Sequence, residues 1–276
     1  MRGVPILIAE EKSLFDVADY TEERETYFKR KSPLFTALRK LVPEVSTNVK
    51  AKQNFASFER EARKRGGKPT ILVLGGSIVG SGMEDLFRSD GLRMIETDIA
   101  LSDRVHLICD GHDIPFADGT FDGVIVQAVL EHVLDPYRCV DEIHRVLKPN
   151  GVVYAETAFM QQVHGGRYDF MRFTWLGHRR LFRRFEEIES GASCGPGMAV
   201  GWAHRYFWRA MAGSGPARAV ARLFVHFTSF FWKWFDPILV DRPVSWDAAS
   251  AVYFLGTRSE KTLADRDLLK LYRGGT

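Results

Sequence analysis

Thr70-Ile-Leu-Val-Leu-Gly-Gly76 opens a stretch, residues 70–158, in which short apolar runs alternate with loops and helical patterns. The run is rich in β-branched residues and ends in glycines, which is typical of a buried parallel strand that breaks into a tight turn. Four similar runs follow, at Leu92–Asp98, Val105–Asp110, Phe121–Gln127 and Pro149–Ala155. This alternation predicts a parallel α/β sheet, whose ligands bind outside the carboxyl ends of its strands.

Glycines and acids stand where these predicted strands end. Gly75 and Gly80 permit positive φ and a close approach of the backbone to a ligand, and the next helix offers its N-terminus to a carboxylate. Asp98 ends the second strand, where a carboxylate can accept two hydrogen bonds from a ribose diol. Asp110 ends the third strand. The alternative role for each acid is a cap at the strand end.

Bulk properties set limits on the class of protein. The chain has 276 residues with 45% hydrophobic content and a net charge of +3, which is too mild to indicate nucleic-acid binding. Three scattered cysteines form neither a disulfide framework nor a metal motif, so we expect a reducing compartment. The apolar run near the N-terminus is too short for a signal peptide, and no run is long enough to span a bilayer. We therefore expect a cytoplasmic protein.

Six segments in order carry a family resemblance: Val73–Gly80, Glu96–Asp98, Cys109–Phe116, Phe121–Val124, Leu130–Asp135 and Glu142–Gly151. Together they resemble the core of class I S-adenosylmethionine-dependent methyltransferases of the small-molecule type called methyltransferase type 11. The resemblance implies a Rossmann-like seven-stranded sheet with helices on both faces. It also implies S-adenosylmethionine as cofactor and no metal, since nothing resembles the metal-assisted catechol type.

The resemblance also implies which residues would contact the cofactor. The glycine loop would hold the methionine end of the cofactor, and Asp98 with the next residue would bind the ribose. Asp110 with the next residue would contact the adenine, and the end of the fourth strand would lie beside the sulfonium. The predicted set is Gly75, Gly76, Ser77, Gly80, Asp98, Ile99, Asp110, Gly111, Gln127 and Ala128. Two departures stand out: Val73 replaces the usual acid, and the glycine spacing is altered, so the cofactor's amino group needs another acceptor.

The loop after the fifth strand, Thr157–Thr174, is dense in polar and aromatic residues. His164 is the first choice for a general base, with Asp169 as an orienting partner or an alternate base. His132, predicted in the first turn of a helix over Ala128–Leu147, is a further candidate base, although a structural or cofactor-facing role is favoured. Gln161, Gln162, Tyr168 and Arg172 are predicted to bind the acceptor. The alternatives are that Asp169 and Arg172 pair to fix the loop, and that His164 is loop surface.

The sequence divides into residues 1–67, predicted as an N-terminal helical cap, and residues 68–276, a methyltransferase domain. Helices are predicted at 20–31, 33–41 and 54–65, either shaping the acceptor site or only packing. An aromatic insertion, residues 194–247, separates the sixth strand, Glu186–Ser193, from the seventh, Ala249–Gly256. Its apolar residues cover more than one helix face. Three interpretations stay open: packing over the acceptor site, a homodimer interface, or peripheral contact with a membrane.

Two hypotheses for the function follow from these patterns. The first is methyl transfer to a small-molecule acceptor, most simply a hydroxyl of a sugar, a glycan precursor or a related metabolite. The second is a non-catalytic or regulatory protein that keeps the fold, which the absent acid at Val73 motivates. Nucleic acid is a weaker third candidate partner, because no base-flipping motif follows the fourth strand.

Overall fold

The computed structural model describes residues 3–21, 44–213 and 215–275. Its strands are β1 (Ile6–Leu7), β2 (Thr70–Leu74), β3 (Arg93–Asp98), β4 (Leu107–Cys109), β5 (Phe121–Gln127), β6 (Leu147–Ala158), β7 (Phe185–Cys194) and β8 (Ala251–Arg258). They form one sheet in the order β1-β4-β3-β2-β5-β6-β8-β7. Strand β8 is antiparallel to both of its neighbours, and the pairs from β1 to β6 are parallel. The predicted α/β Rossmann-like fold is therefore confirmed.

The sheet has one strand more than the seven predicted. Ile6 and Leu7 pair with Ile108 and Cys109 of β4, so the short apolar run near the N-terminus forms an edge strand. The N-terminal region thus contributes a strand to the same sheet as the core and is not purely helical. Its division from the rest of the chain as a separate cap stays a prediction.

The described helices of the chain are α1 (Val17–Thr21), α2 (Ala51–Arg63), α3 (Glu84–Arg88), α4 (Pro136–Val146), α5 (Trp175–Leu181), α6 (Pro196–Met211), α7 (Pro216–Thr228), α8 (Asp236–Leu239), α9 (Ser245–Ala248) and α10 (Asp265–Leu269). Short 3₁₀ turns occupy Glu10–Lys12, Gly166–Tyr168 and Phe231–Phe235. Helix α2 matches the helix predicted at 54–65. Most of the predicted helix 20–31, and all of 33–41, lies outside the described residues.

Alternate residues of the central strands enter two separate cores, one on each face of the sheet. On one face, Leu72 and Val124 pack with Ile143 of α4. On the other, Ile71 packs with Phe58 of α2. Because both faces are covered, the central strands read as continuous apolar runs.

The helix after β5 begins later than predicted. Residues 128–135 form a loop, and α4 starts at Pro136. Pro136 suits the first helical position, and the carboxylate of Asp135 accepts a hydrogen bond from Arg138 N at 3.1 Å. Ala128 adopts a φ of 54°, which turns the chain away from the strand. His132 therefore lies in a loop, not in the first turn of a helix.

The insertion between β7 and β8 is helical, as predicted, and is fastened by one buried acid. Asp236 is fully buried and accepts hydrogen bonds from Gly197 N at 2.7 Å and Met198 N at 2.9 Å. These amides belong to the first turn of α6, where the helix leaves N–H groups unsatisfied and favours a negative charge. Asp236 thus joins α8 to the start of α6.

We expect Asp236→Ala to lower the free energy of unfolding by about 1–3 kcal/mol, because it leaves two buried amides without acceptors. Chemical denaturation monitored by tryptophan fluorescence would measure the change. Asp267→Ala, on the exposed side of α10, is the matched control and should leave stability nearly unchanged. Equal stability of the Asp236 variant and the wild type would contradict the anchoring role.

Candidate active site

A cavity of about 710 Å³ opens at the carboxyl ends of β2, β3, β4 and β5. Its volume suits a small-molecule or cofactor site. Most of the predicted site residues line it: Gly75, Ser77, Gly80, Asp98, Ile99, Asp110, Gly111, Gln127, Ala128, His132, Gln161, His164 and Tyr168. Gly76, Gln162, Asp169 and Arg172 are not among the lining residues. The structure therefore brings the predicted cofactor residues and the loop after β6 to one place.

Gly76 is turned away from the cavity and packs behind the glycine loop. A Cβ atom at this position would lie 2.9 Å from the Cβ atom of Glu96. The glycine is thus required by close packing against β3, which the sequence does not distinguish from ligand contact. The prediction that it touches the cofactor stays a prediction.

Asp98 both lines the cavity and ties the glycine loop to the end of β3. Its Oδ2 accepts a hydrogen bond from Ser77 N at 2.9 Å, and its Oδ1 accepts one from Ala100 N at 2.9 Å. Gly75, with a φ of +81°, donates its N–H to Thr97 O at 2.9 Å. The acid at this strand end therefore holds the loop in the shape that exposes it to the cavity.

The next strand end also carries a lining acid, but its oxygens are already engaged. Asp110 Oδ2 accepts a hydrogen bond from Ser13 Oγ at 2.5 Å. Its Oδ1 contacts His112 Nδ1 at 2.6 Å and accepts a bond from His112 N at 2.9 Å. Although burial raises the pKa of Asp110, the bonds from His112 and Ser13 lower it below its usual value. Ser13 and His112 were missed by the sequence prediction.

The N-terminal region closes one side of the cavity. Leu14 and Phe15 line it, and the ring of Phe15 stacks on Tyr168 with 5.7 Å between centroids. Tyr20 donates its hydroxyl to Ile99 O at 2.7 Å. Residues before β2 and residues after β6 therefore meet over the same opening.

Acceptors for a cofactor amino group are present although Val73 is not an acid. Gln127 Oε1 is buried and has no hydrogen-bond partner among the described residues. A side chain at Gly80 would collide with this oxygen, so the amide lies against the glycine loop. Glu156 lies beside it, with Oε2 accepting from Asn48 Nδ2 at 2.7 Å. Burial raises the pKa of Glu156. The residues present therefore fit an ammonium group, and neither Glu156 nor Asn48 was predicted.

A pair of charges fixes the loop after β6. Asp169 accepts hydrogen bonds from His164 N at 2.7 Å and Gly165 N at 3.0 Å, and it forms an ion pair with Arg172. Arg172 also donates to Gln161 O at 2.7 Å and Gln162 O at 3.1 Å. Burial raises the pKa of Asp169, but the bonds from Arg172 and the two amides lower it well below its usual range. Asp169 and Arg172 pair to fix the loop, as one of the two sequence interpretations expected, and the roles predicted for them in catalysis and acceptor binding stay predictions.

Three ionisable side chains gather at the far wall of the cavity. His164 Nε2 lies 4.0 Å from Glu131 Oε1, and the rings of His132 and His164 meet edge to face at 4.8 Å. Burial raises the pKa of Glu131 to about 7 and lowers the pKa of each histidine. Glu131, only 1% exposed, was missed because its helix placement was wrong. Its position directly after β5, beside His132, was the available signal.

The central part of the chain is similar to known methyltransferases. Residues 90–155 match the methyltransferase domain family. This central segment is therefore similar to that family. The match supports S-adenosylmethionine as the cofactor, as predicted.

Two relatives extend the comparison of the methyltransferase domain. A demethylmenaquinone methyltransferase of Clavibacter sepedonicus is 43% identical over 54 residues, 19% of this chain and 22% of the relative. The mitochondrial arginine-hydroxylase NDUFAF5 of Rattus norvegicus is 43% identical over 58 residues, 21% of this chain and 16% of the relative. The similarity thus spans about a fifth of these proteins or less.

A solved structure shares the fold over a longer span. A protein from Galdieria sulphuraria, provisionally assigned as a sarcosine dimethylglycine methyltransferase, superposes with a TM-score of 0.50 and 16% identity. The superposition covers 76% of this chain and 85% of that one. At this identity the likeness shows the fold alone.

We expect Asp98→Ala to weaken S-adenosylmethionine binding at least tenfold, about 1.4 kcal/mol, because it removes a ribose acceptor and releases the glycine loop. Calorimetric titration with S-adenosylmethionine and S-adenosylhomocysteine measures this. Asp90→Ala, at an exposed position before β3, is the matched control and should bind as the wild type does. An unchanged affinity in the Asp98 variant would reject the assigned role.

Proposed function

We propose that this chain transfers the methyl group of S-adenosylmethionine to a hydroxyl of a small-molecule acceptor, most simply a sugar, a glycan precursor or a related metabolite. One observation carries the proposal. The same cavity is lined by the glycine loop and Asp98 at one end and by Gln161, His164 and Tyr168 at the other. A cofactor held at the first end directs its methyl group toward the second.

Methyl transfer requires mainly that the acceptor oxygen is aligned with the methyl group and that the hydroxyl proton is removed. The acceptor oxygen attacks the methyl carbon in line with the bond to sulfur, that bond breaks, and the hydroxyl proton leaves. The chain offers Glu131, His132 and His164 where this oxygen would lie. The fixed loop keeps His164 in place, since Asp169 holds its backbone N–H. We therefore assign His164 as the general base that takes the proton from the acceptor hydroxyl.

A binding protein without turnover is the second candidate, and Val73 is the observation that favours it. The buried side chain of Val73 leaves the usual acceptor position at the end of β2 apolar. The two candidates differ in one measurement. Binding of S-adenosylmethionine without methyl transfer to any acceptor pool would support the binding protein.

We expect His164→Ala to lower methyl transfer at least tenfold while the affinity for S-adenosylmethionine stays within about twofold, since the imidazole lies at the acceptor end. Labelled methyl transfer into glycan and lipid-linked sugar extracts gives the rate, and calorimetry gives the affinity. His106→Ala, outside the cavity and exposed, is the control. Normal transfer by the His164 variant would remove this residue from the reaction.

We also propose that the aromatic insertion rests on an anionic membrane surface, where a lipid-linked acceptor would be presented. Nine exposed apolar side chains lie on α6, α7 and α8: Val200, Phe207, Trp208, Met211, Val220, Leu223, Phe224, Phe227 and Ile238. The insertion, residues 194–247, contains six Lys or Arg, three Asp and no Glu. An apolar surface with an excess of positive charge suits a negatively charged interface better than a second copy of the same surface.

The insertion contacts the cavity, so binding of the insertion to a membrane would place the cavity next to the membrane surface. Met198 of α6 lines the cavity. Tyr206, on the same helix, donates its hydroxyl to Val163 O in the loop after β6. Among the described residues no helix is both long and apolar enough to cross a bilayer, so the proposed contact is peripheral.

We expect the protein to sediment with vesicles of phosphatidylglycerol and phosphatidylcholine, and less with phosphatidylcholine alone or at high salt, because the attraction is partly electrostatic. Phe207→Ser with Leu223→Ser should weaken binding at least fivefold. Leu269→Ser, equally exposed but on α10, is the matched control. A stable dimer in solution that the double variant dissolves, without vesicle binding, would instead support the homodimer interpretation.

A further inference from the structure

Glu131, His132 and His164 form a compact set of metal-ligand types on the cavity wall. One ligand atom from each residue lies within 4.8 Å of the others. Glu131 and His132 come from the loop after β5, and His164 comes from the loop after β6, so the set exists only because the two strand ends are neighbours. Two imidazoles and one carboxylate are a set that transition metals favour.

Each of these side chains is held by a further contact, as ligands of a metal usually are. His132 Nδ1 lies 2.8 Å from Tyr168 O, which orients the ring. His164 Nδ1 lies 3.3 Å from Gln162 O and 3.6 Å from Asp169 Oδ2, which leaves Nε2 directed at Glu131. Glu131 Oε1 accepts a hydrogen bond from Ala158 N at 3.2 Å. The three groups are thus oriented before any ligand arrives.

The second oxygen of Glu131 is a separate observation that points to a ligand. Glu131 Oε2 is buried and has no hydrogen-bond partner among the described residues, and the side chain is 1% exposed. A buried carboxylate oxygen without a partner is costly, and a cation is one of the few groups that can satisfy it. Arg172 does not serve this purpose, because its guanidinium is paired with Asp169.

We propose that Glu131, His132 and His164 bind a divalent transition-metal ion, such as Zn²⁺, Mn²⁺, Co²⁺ or Fe²⁺. Metal–ligand distances of about 2.0–2.2 Å require the three groups to move slightly together from their spacing of up to 4.8 Å. Three protein ligands leave positions on the cavity side for an oxygen of the acceptor. The sequence prediction assigned His132 and His164 as candidate bases, gave Glu131 no role and expected no metal.

The role of this ion rests on the proposed function. A bound cation would coordinate the acceptor hydroxyl and lower its pKa, so that its proton passes to solvent water in the cavity and the oxygen would attack the methyl carbon as an alkoxide while the sulfur–methyl bond breaks. His164 would then act as a ligand of the ion and not as the direct base. The same set would also select acceptors whose hydroxyl, or a pair of neighbouring oxygens, can coordinate a metal.

The test is metal binding by the tag-free full chain, stripped with a chelator and titrated with Co²⁺ and Mn²⁺ in the absence of cofactor and acceptor. We expect one ion per chain with micromolar affinity by calorimetry. Visible absorption bands of Co²⁺ should report imidazole and carboxylate ligands. Glu131→Gln and His164→Ala should each weaken binding at least roughly tenfold.

His106→Ala, an exposed histidine outside the cavity, should bind the ion as the wild type does. Circular dichroism shows whether each variant is folded. If one variant does not fold, the stoichiometry of metal binding by the wild type still tests the proposal. The proposal would be overturned if the wild type did not bind one ion per chain, or if the Glu131→Gln and His164→Ala variants bound the ion as tightly as the wild type does. Neither result depends on methyl transfer, so the metal site and the proposed function can fail separately.

Discussion

Burial of both faces of the central strands is the constraint on which the rest of the structure depends. Ile71 faces α2 and Leu72 faces α4, so neither side of β2 can carry a polar group without cost. Polar chemistry is thereby confined to the points where strands end. Parallel pairing then places those ends at one edge, which is why Asp98 and Asp110, twelve residues apart, line the same cavity.

The opposite wall of the cavity is built by a different means. The loop after β6 that carries His164 is held mainly by an ion pair, and helix α6 adds the hydrogen bond from the Tyr206 hydroxyl to Val163 O. Asp169 gathers two amides and the guanidinium of Arg172, and Arg172 reaches the carbonyls of Gln161 and Gln162. Partial burial strengthens such a network, because the hydrogen bonds within it face little competition from water. The loop therefore presents a histidine in a fixed place, which a reacting oxygen requires.

The sequence predicted the parts of the site that depend on local signals. Strand ends, glycines and the acid at Asp98 are readable from alternation and from the types of residue that turns need. Glu131 was not predicted as a site residue, although Asp135 and Pro136 marked the true start of α4 and would have left it in a loop. Contacts such as Asn48 with Glu156 join segments 108 residues apart, and no local pattern encodes them. The comparison confirms the fold and the cofactor, and the roles of single residues stay predictions.

Val73 stands where the resembled family usually carries an acid, so the amino group of the cofactor needs an acceptor from another strand. Val73 lies 3% exposed in the core beneath the glycine loop, where a carboxylate would need partners that the neighbouring side chains do not provide. One strand further along, β5 ends in Gln127 and, beside it, β6 carries Glu156, which pair in register. We infer that the positive amino end of the cofactor is met from this side. On this inference the acceptor lies on β5 and β6, one and two strands from β2, and the binding of ligands at strand ends is kept.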